Sequence, residues 1–237
     1  MRVLIVIGHP SPNKDGTAHN LARVAKDALI KAGNEVRWTD LMDDGYDKCA
    51  SAADFAHPID ENKRFNYIDV GDDVTPQVKK SHDDVAWATH LIIFGPMWYF
   101  RFPACVYAWQ ERVFTRGFSF NNDEVPPLKG KKLMCVITCA PAQGYYSTAN
   151  EATVESYLLP LTTGFRLNGF DVCQSHCVYG CPSEEVEKNV GPKLARAIVN
   201  IEKRPLLPTA PHPINGKCEG AMHAAIDDLD LDRAIAL

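Results

Sequence analysis

Three stretches of this chain carry residues that could do chemistry, and each follows an apolar run. The first is Gly8-His9-Pro10-Ser11-Pro12-Asn13-Lys14-Asp15-Gly16-Thr17-Ala18-His19-Asn20, directly after Val3–Ile7. It has neither GxGxxG nor GxxxxGK(S/T), which counts against a dinucleotide fingerprint and an NTP cradle. It does feed a helix N-terminus, where free backbone N–H groups suit a phosphate. Thr17 can add a hydroxyl there, or simply cap the helix. The second stretch is Pro96-Met97-Trp98-Tyr99-Phe100, within a segment, Leu91 to Phe120, that holds ten aromatic residues. Three consecutive rings cannot all point inward from a tight turn, so at least one faces a ligand or an interface. The third is Thr138-Cys139-Ala140-Pro141-Ala142-Gln143-Gly144-Tyr145-Tyr146-Ser147, with two tyrosines able to donate O–H groups.

Other chemistries find less support. No convincing Ser/His/Asp or Cys/His set is present. Eight cysteines occur without a secretory leader, so free thiols and a cytoplasmic setting are expected. Cys173, Cys177 and Cys181 are evenly spaced, but on a strand residues four apart lie roughly 13 Å from one another, too far to share an ion; no metal site is expected. A net charge of −5 with no basic run argues against nucleic acid as a partner. No apolar run is long enough to cross a bilayer.

The elements that must position these residues alternate between strand and helix. Val3–Ile7 reads as a strand buried on both faces, and Thr17–Lys31 as a helix closed by Gly33. Glu35–Trp38 is a second strand. Residues 42–75 show no strong period, and a connection of that length is expected to be functional or an interface. Pro76–Ala88 reads as a helix with Val78, Val85 and Ala86 inward. Leu91–Phe94 is the third strand, Pro103–Phe114 the third helix, and Leu133–Thr138 the fourth strand. Asn150–Leu161 is a helix interrupted near Pro160, Phe170–Val172 begins a fifth strand, and Ser183–Lys203 is a helix with Ser183 near its start. Trp109, Phe114 and Phe118 are expected in the core.

Five βα units give a five-stranded, parallel, doubly wound sheet, with flavodoxin-like order 2-1-3-4-5. The expected division is a domain over 1–203 and a proline-rich C-terminal arm over 204–237. In such sheets ligands bind outside the carboxyl ends of the strands. A phosphate nest, a stacking wall and hydrogen-bond donors then meet at one edge, and a flavin nucleotide needs all three.

The run Pro96-Met97-Trp98-Tyr99-Phe100-Arg101-Phe102-Pro103-Ala104, with Trp109-x-x-Arg112-Val113-Phe114 and Gly117-Phe118, resembles the flavodoxin-fold NAD(P)H:quinone oxidoreductases of the DT-diaphorase type. The resemblance extends to His9, Asp40-Leu41 and Thr138, and covers roughly residues 2–203. It implies that the flavin stacks on Pro96, Met97, Trp98, Tyr99 and Phe100. His9, Thr17, Ala18 and His19 or Asn20 would hold the pyrophosphate. The strand-four loop, Thr138, Cys139 and Ala140 onward, would meet the pyrimidine edge, with Tyr146 facing the flavin in a catalytic role. It implies a homodimer in which Phe120 and Asn122 cover the partner's substrate and Asn66, within Phe65-Asn66-Tyr67, reaches the partner's FAD. Tyr99, Phe100 and Tyr145 would complete the substrate slot.

The chain also departs from that pattern. Thr138-Cys139-Ala140-Pro141 stands where the family has Thr-Thr-Gly-Gly, and a proline donates no N–H. Ala152 replaces a histidine, for which His176 or a water is a substitute to consider, and Arg101 replaces a glycine. The implied activity is two-electron hydride transfer from NAD(P)H through FAD (FMN being the other candidate) to a quinone, by a ping-pong route. The alternatives are a flavodoxin-like electron carrier and a regulatory flavin-binding subunit of a transport system.

Overall fold

The N-terminal apolar run forms β1 (Arg2–Ile7), and its last five residues are buried, as an unbroken β-branched pattern requires of a central strand. The computed structural model describes residues 1–57, 73–121, 125–140, 153–180 and 184–207. After β1 come α1 (Thr17–Lys31), β2 (Glu35–Asp40), a short 3-10 turn (Ala52–Asp54), α2 (Pro76–Trp87), β3 (His90–Pro96) and α3 (Ala104–Val113). Then follow β4 (Lys132–Cys139), α4 (Val154–Leu167), β5 (Asp171–Val172), β6 (His176–Tyr179), α5 (Glu184–Val199) and a 3-10 turn (Ile201–Lys203). The sheet order is β2-β1-β3-β4-β5, with β6 also on β4, and every ladder is parallel. The expected 2-1-3-4-5 order is the one observed.

Alternation along the strands divides the core in two. Leu4, Val6, Leu91, Ile93, Leu133, Cys135 and Ile137 pack with residues of α2, α3 and α4. Val3, Ile5, Ile7, Ile92, Phe94, Met134 and Val136 pack with α1 and α5. Helix α1 ends as expected: Gly33 takes φ +79°, and the Asn34 N–H reaches back to Leu29 O at 3.0 Å, closing a Schellman turn.

Four expectations need correction. Strand β2 runs to Asp40 rather than Trp38, because Thr39 and Asp40 pair with Val6 and Ile7. That places Asp40 at the carboxyl edge of the sheet. On α2, Val78 and Val85 are buried but Ala86 is exposed; Ser81 and His82 face inward instead. The fifth strand is two segments. Between them the Gln174 N–H turns to Pro205 O (2.8 Å) and the Ser175 N–H to Glu155 Oε1 (2.6 Å), so the β4 ladder is interrupted. The carbonyls freed there accept from Arg204. Helix α4 runs four turns through Pro160 instead of breaking. Leu158, Leu161 and Phe165 are fully buried, and that packing outweighs the roughly 3 kcal/mol a mid-helix proline costs.

The excursion after β2 is tied down by Arg112 of α3. Its Nε donates to Asp54 (2.7 Å), its Nη1 to Gly45 O (2.9 Å) and its Nη2 to Gln77 Oε1 (3.0 Å). The guanidinium also lies 4.7 Å from the centroid of buried Tyr46. Trp109 and Phe114 are core residues, as expected. Phe118 packs flat on His82, centroids 3.8 Å apart. Among the described residues no helix is long and apolar enough to cross a membrane. Cys173 and Cys177 pack toward opposite halves of the core.

Candidate functional site

Strands β1, β3 and β4 end at the same edge, and their loops enclose a cleft of about 280 Å³. It is lined by His9, Gly16, Thr17, Ala18, Pro96, Met97, Trp98, Thr138 and Ala140. Residues from all three sequence stretches therefore meet. Two glycines let the strand ends approach. A Cβ at Gly8 would fall 2.1 Å from Val106 Cγ2, and one at Gly95 would fall 2.8 Å from both Gly8 O and the Phe102 ring.

The phosphate-like end is built by β1 and α1. Gly16 is the N-cap of α1, extended at φ −66° and ψ 154°, and no side chain caps the helix. Thr17 is thus the first helical residue rather than a cap. No acidic residue stands in the first turn, so the positive end of the helix dipole opens into the cleft. His9 is half-buried and packs against Trp98 at 5.9 Å and His19 at 5.4 Å. Its Nδ1 accepts the Ser11 N–H at 3.0 Å, which leaves the ring proton on Nε2. Burial first, then the nearby His19, pulls its pKa below the usual histidine value, with Asp40 and Asp15 opposing. His9 is therefore a neutral N–H donor.

The aromatic end is a two-residue hairpin. Trp98 and Arg101 exchange backbone bonds of 2.8 and 3.0 Å, while Tyr99 and Phe100 both take positive φ, 49° and 59°. This is type I′ geometry, normally filled by Asn-Gly. Trp98, Tyr99 and Phe100 are 44%, 94% and 42% exposed, in keeping with the expectation that the rings do not all turn inward. They are divided. Trp98 joins Pro96 and Met97 in the cleft. Tyr99 and Arg101, together with Trp98 again, line a second cavity of about 310 Å³, on the Pro10, Met42 and Phe102 side. Phe100 packs on Tyr157 of α4 at 4.9 Å.

At the β4 end, Thr138 O accepts the Met97 N–H at 2.8 Å, locking the turn to the strand. Cys139 points into the core and Ala140 into the cleft. Asn20 lies outside the cleft lining, its Oδ1 accepting from Arg23 and its Nδ2 donating to Asp15 O. Phe120 is half-buried in a short turn whose Gly117 N–H donates to Phe120 O at 2.7 Å. His176 stands opposite Val136 within the sheet, where burial and Arg204 lower its pKa to about 4. It is neutral there and outside the cleft lining. Asn66, Asn122, Tyr145, Tyr146, Ala152 and Ser183 lie outside the described residues.

Sequence reasoning missed one feature of this edge. His19 is fully buried, and its Nε2 lies 3.1 Å from Asp40 Oδ2. The available signal was an aspartate at a strand's carboxyl end beside a histidine in the first turn of the preceding helix.

The model of the flavodoxin-like fold family matches residues 1–201. NAD(P)H dehydrogenase (quinone) 1 of Cavia porcellus is 26% identical, over 76% of this chain and 68% of its own. The ribosyldihydronicotinamide dehydrogenase (quinone) of Homo sapiens is 27% identical, over 89% of this chain and 96% of its own. A solved structure from Klebsiella pneumoniae, described as a candidate quinone reductase, superposes with a TM-score of 0.76 at 21% identity, covering 89% of this chain and 88% of that one. With its parallel sheet, its switch-point cleft and a family match spanning most of its length, the chain belongs to the flavodoxin-like fold family.

Proposed function

We propose that this chain is a flavin-dependent NAD(P)H:quinone oxidoreductase. The observation that carries the proposal is the cleft itself, in which an uncapped helix N-terminus faces an exposed indole across the ends of three parallel strands. A bound flavin would supply the hydride-transfer chemistry, which ordinary side chains do not carry. The protein's part is to hold and orient. The His9 Nε2–H and the first N–H groups of α1 suit the anionic phosphates. Pro96, Met97 and Trp98 supply the wall, and Thr138 and Ala140 the opposite lip.

Tyr146 is assigned the donor role toward the pyrimidine edge, and Tyr99, Phe100, Phe120, Asn122 and Tyr145 the substrate slot. That slot would be shared between two copies of the chain, with Asn66 reaching across. FAD is the proposed cofactor, the quinone is the acceptor, and the proposed division is a flavin-binding domain over 1–203 with a C-terminal arm over 204–237. The two curated relatives are named for different donors, NAD(P)H and ribosyldihydronicotinamide; NAD(P)H is the one proposed.

Purified protein should be yellow and should oxidise NADH or NADPH with menadione as acceptor. Heat release and chromatography would identify FAD or FMN. Protein that stays colourless after incubation with both flavins would refute the assignment. Flavin that is bound but not reduced by either nucleotide alone in a stopped-flow mixer would make it an electron carrier.

A further inference from the structure

The second cavity, of about 310 Å³, offers a chemistry that the flavin cleft does not. Trp98 is the one lining residue the two have in common. Pro10, Met42, Trp98, Tyr99, Phe102 and Pro103 make its apolar part. Phe102 is fully buried beneath it, whereas Trp98 and Tyr99 keep exposed rings. Rings presented in this way favour a flat aromatic body that can stack or pack edge-on. The volume lies at the small end of the roughly 300–1,000 Å³ typical of ligand pockets, which suits a molecule of one or two rings and not a dinucleotide.

Asp47 and Arg101 are the charged residues of this lining. Both of them, with Ala104 and Cys105, also line a neighbouring cavity of about 220 Å³, whereas Trp98, Tyr99 and Phe102 do not. The two charges therefore stand at the end where the cavities adjoin, and the rings stand away from it. The Arg101 guanidinium lies 5.7 Å from the Tyr107 ring centroid, and among the described residues neither it nor the Asp47 carboxylate is in an ion pair. Cys105 adds no charge, because burial pushes its pKa up to about 11. Past the boundary, Lys48 and Glu111 line the neighbouring cavity with opposite signs.

Both charges are carried on fixed backbone. Arg101 closes the hairpin through its two bonds with Trp98 and is followed by buried Phe102. Asp47 follows Tyr46, which is fully buried with its hydroxyl 2.7 Å from Ser81 Oγ. Two opposite charges held at one end of an aromatic cavity, yet not paired with each other, suit a head group that carries both signs. A free α-amino acid carries them on one carbon.

We propose that the second cavity binds a free aromatic α-amino acid. The side chain packs among Trp98, Tyr99 and Phe102, the carboxylate meets Arg101, and the ammonium meets Asp47. An aromatic anion would bring its carboxylate to Asp47 as well as to Arg101, and an aromatic amine would bring its charge to Arg101 as well as to Asp47. The zwitterion answers both charges. This site does not rest on the flavin reading: Tyr99 also belongs to the substrate slot proposed above, but Arg101 and Asp47 do not.

The test is calorimetric titration of the full chain, as purified, with L-tryptophan, indole-3-propionate and tryptamine at neutral pH. These carry both charges, the anion alone and the cation alone. L-Tryptophan should bind with a Kd of about 1 mM or below, as a ligand of this size in a half-open site allows. Each single-charge analogue should bind about three- to tenfold more weakly. Arg101→Met should weaken L-tryptophan and indole-3-propionate by a similar factor and leave tryptamine unweakened. Asp47→Asn should do the reverse, weakening L-tryptophan and tryptamine only. Tyr99→Ala should weaken all three by about three- to tenfold. Arg101 and Asp47 line this cavity and not the flavin cleft, so their opposite selectivities locate the ligand. Both side chains are exposed, and thermal unfolding checks that the variants fold. No binding of L-tryptophan, an analogue that binds as tightly as L-tryptophan, or variants that weaken all three ligands equally or none would each overturn the proposal. Flavin uptake without amino-acid binding overturns this proposal alone; amino-acid binding by a chain that takes up no flavin overturns the flavin assignment alone.

Discussion

Tyr99 is the residue to perturb first, because its ring is 94% exposed while its backbone sits at φ +49°. A non-glycine residue in the left-handed region costs about 1–2 kcal/mol, and almost no side-chain burial offsets it here. Tyr99→Gly removes that strain but adds about 0.5–1 kcal/mol of unfolded-state entropy. The net expectation is stabilisation of about 0.5–1 kcal/mol, which in a chain of this size raises Tm by roughly 1–4 °C. Phe100→Gly relieves similar strain at φ +59° but loses the Tyr157 contact and a half-buried ring, a loss of about 1–2 kcal/mol. Its stability should be unchanged or lower. Thermal and urea unfolding of the flavin-free proteins measure both. In the menadione assay Y99G should lose roughly 3–10-fold in kcat/KM, the loss of one aromatic contact. A Y99G protein less stable than wild type by more than about 1 kcal/mol would refute the reasoning, since the turn conformation would then be comfortable for tyrosine.

Three further outcomes are expected. His9→Ala removes the neutral donor at the phosphate end and should weaken flavin binding about tenfold, read from flavin fluorescence quenching; unchanged affinity would take His9 out of the site. Arg112→Met leaves Asp54 buried and unpaired and should cost about 3–5 kcal/mol in urea unfolding, whereas Arg37→Met, at a 43% exposed side chain paired to Asp84, should cost under about 1 kcal/mol. For His176, burial lowers the folded-state pKa from 6.5 to about 4, so the unfolded chain binds the extra proton between those values. Stability should be full above pH 6.5 and fall by about 2–3 kcal/mol as the pH drops toward 4; His176→Asn should flatten that part of the pH–stability curve, and an unchanged slope would contradict it.

The parts of the fold that were legible are those where a local pattern and the tertiary environment agree. Val3–Ile7 is uninterrupted because β1 is buried on both faces, and Gly33 marks the end of α1 because the Schellman turn needs its positive φ. The break between β5 and β6 was not legible, since its causes, Glu155 and Pro205, lie 20 or more residues from Ser175 in one case and past α5 in the other. Pro160 misled because propensity says nothing about how much of α4 is buried. At the site, the crowding of rings made exposure readable, but their division between two cavities depends on two positive φ values that aromatic residues rarely adopt. The His19–Asp40 pair spans 21 positions and comes together only because β1 and β2 pair in register up to Ile7 and Asp40.

The strained hairpin persists because its base is over-determined. Strain at Tyr99 and Phe100 amounts to about 2–4 kcal/mol. Against it stand the two backbone bonds of the Trp98–Arg101 pair and the Met97 bond to Thr138 O, together about 2–3 kcal/mol net. Phe102, fully buried against Gly95, adds about 2–3 kcal/mol. These terms exceed the strain by only a few kcal/mol, and each acts at the foot of the turn rather than at its tip. The foot is thereby fixed to β3, β4 and α3, while the tip presents Tyr99 to solvent in a conformation that folding alone would not select. The same bracing at the foot of the turn places Trp98 in the lining of both cavities.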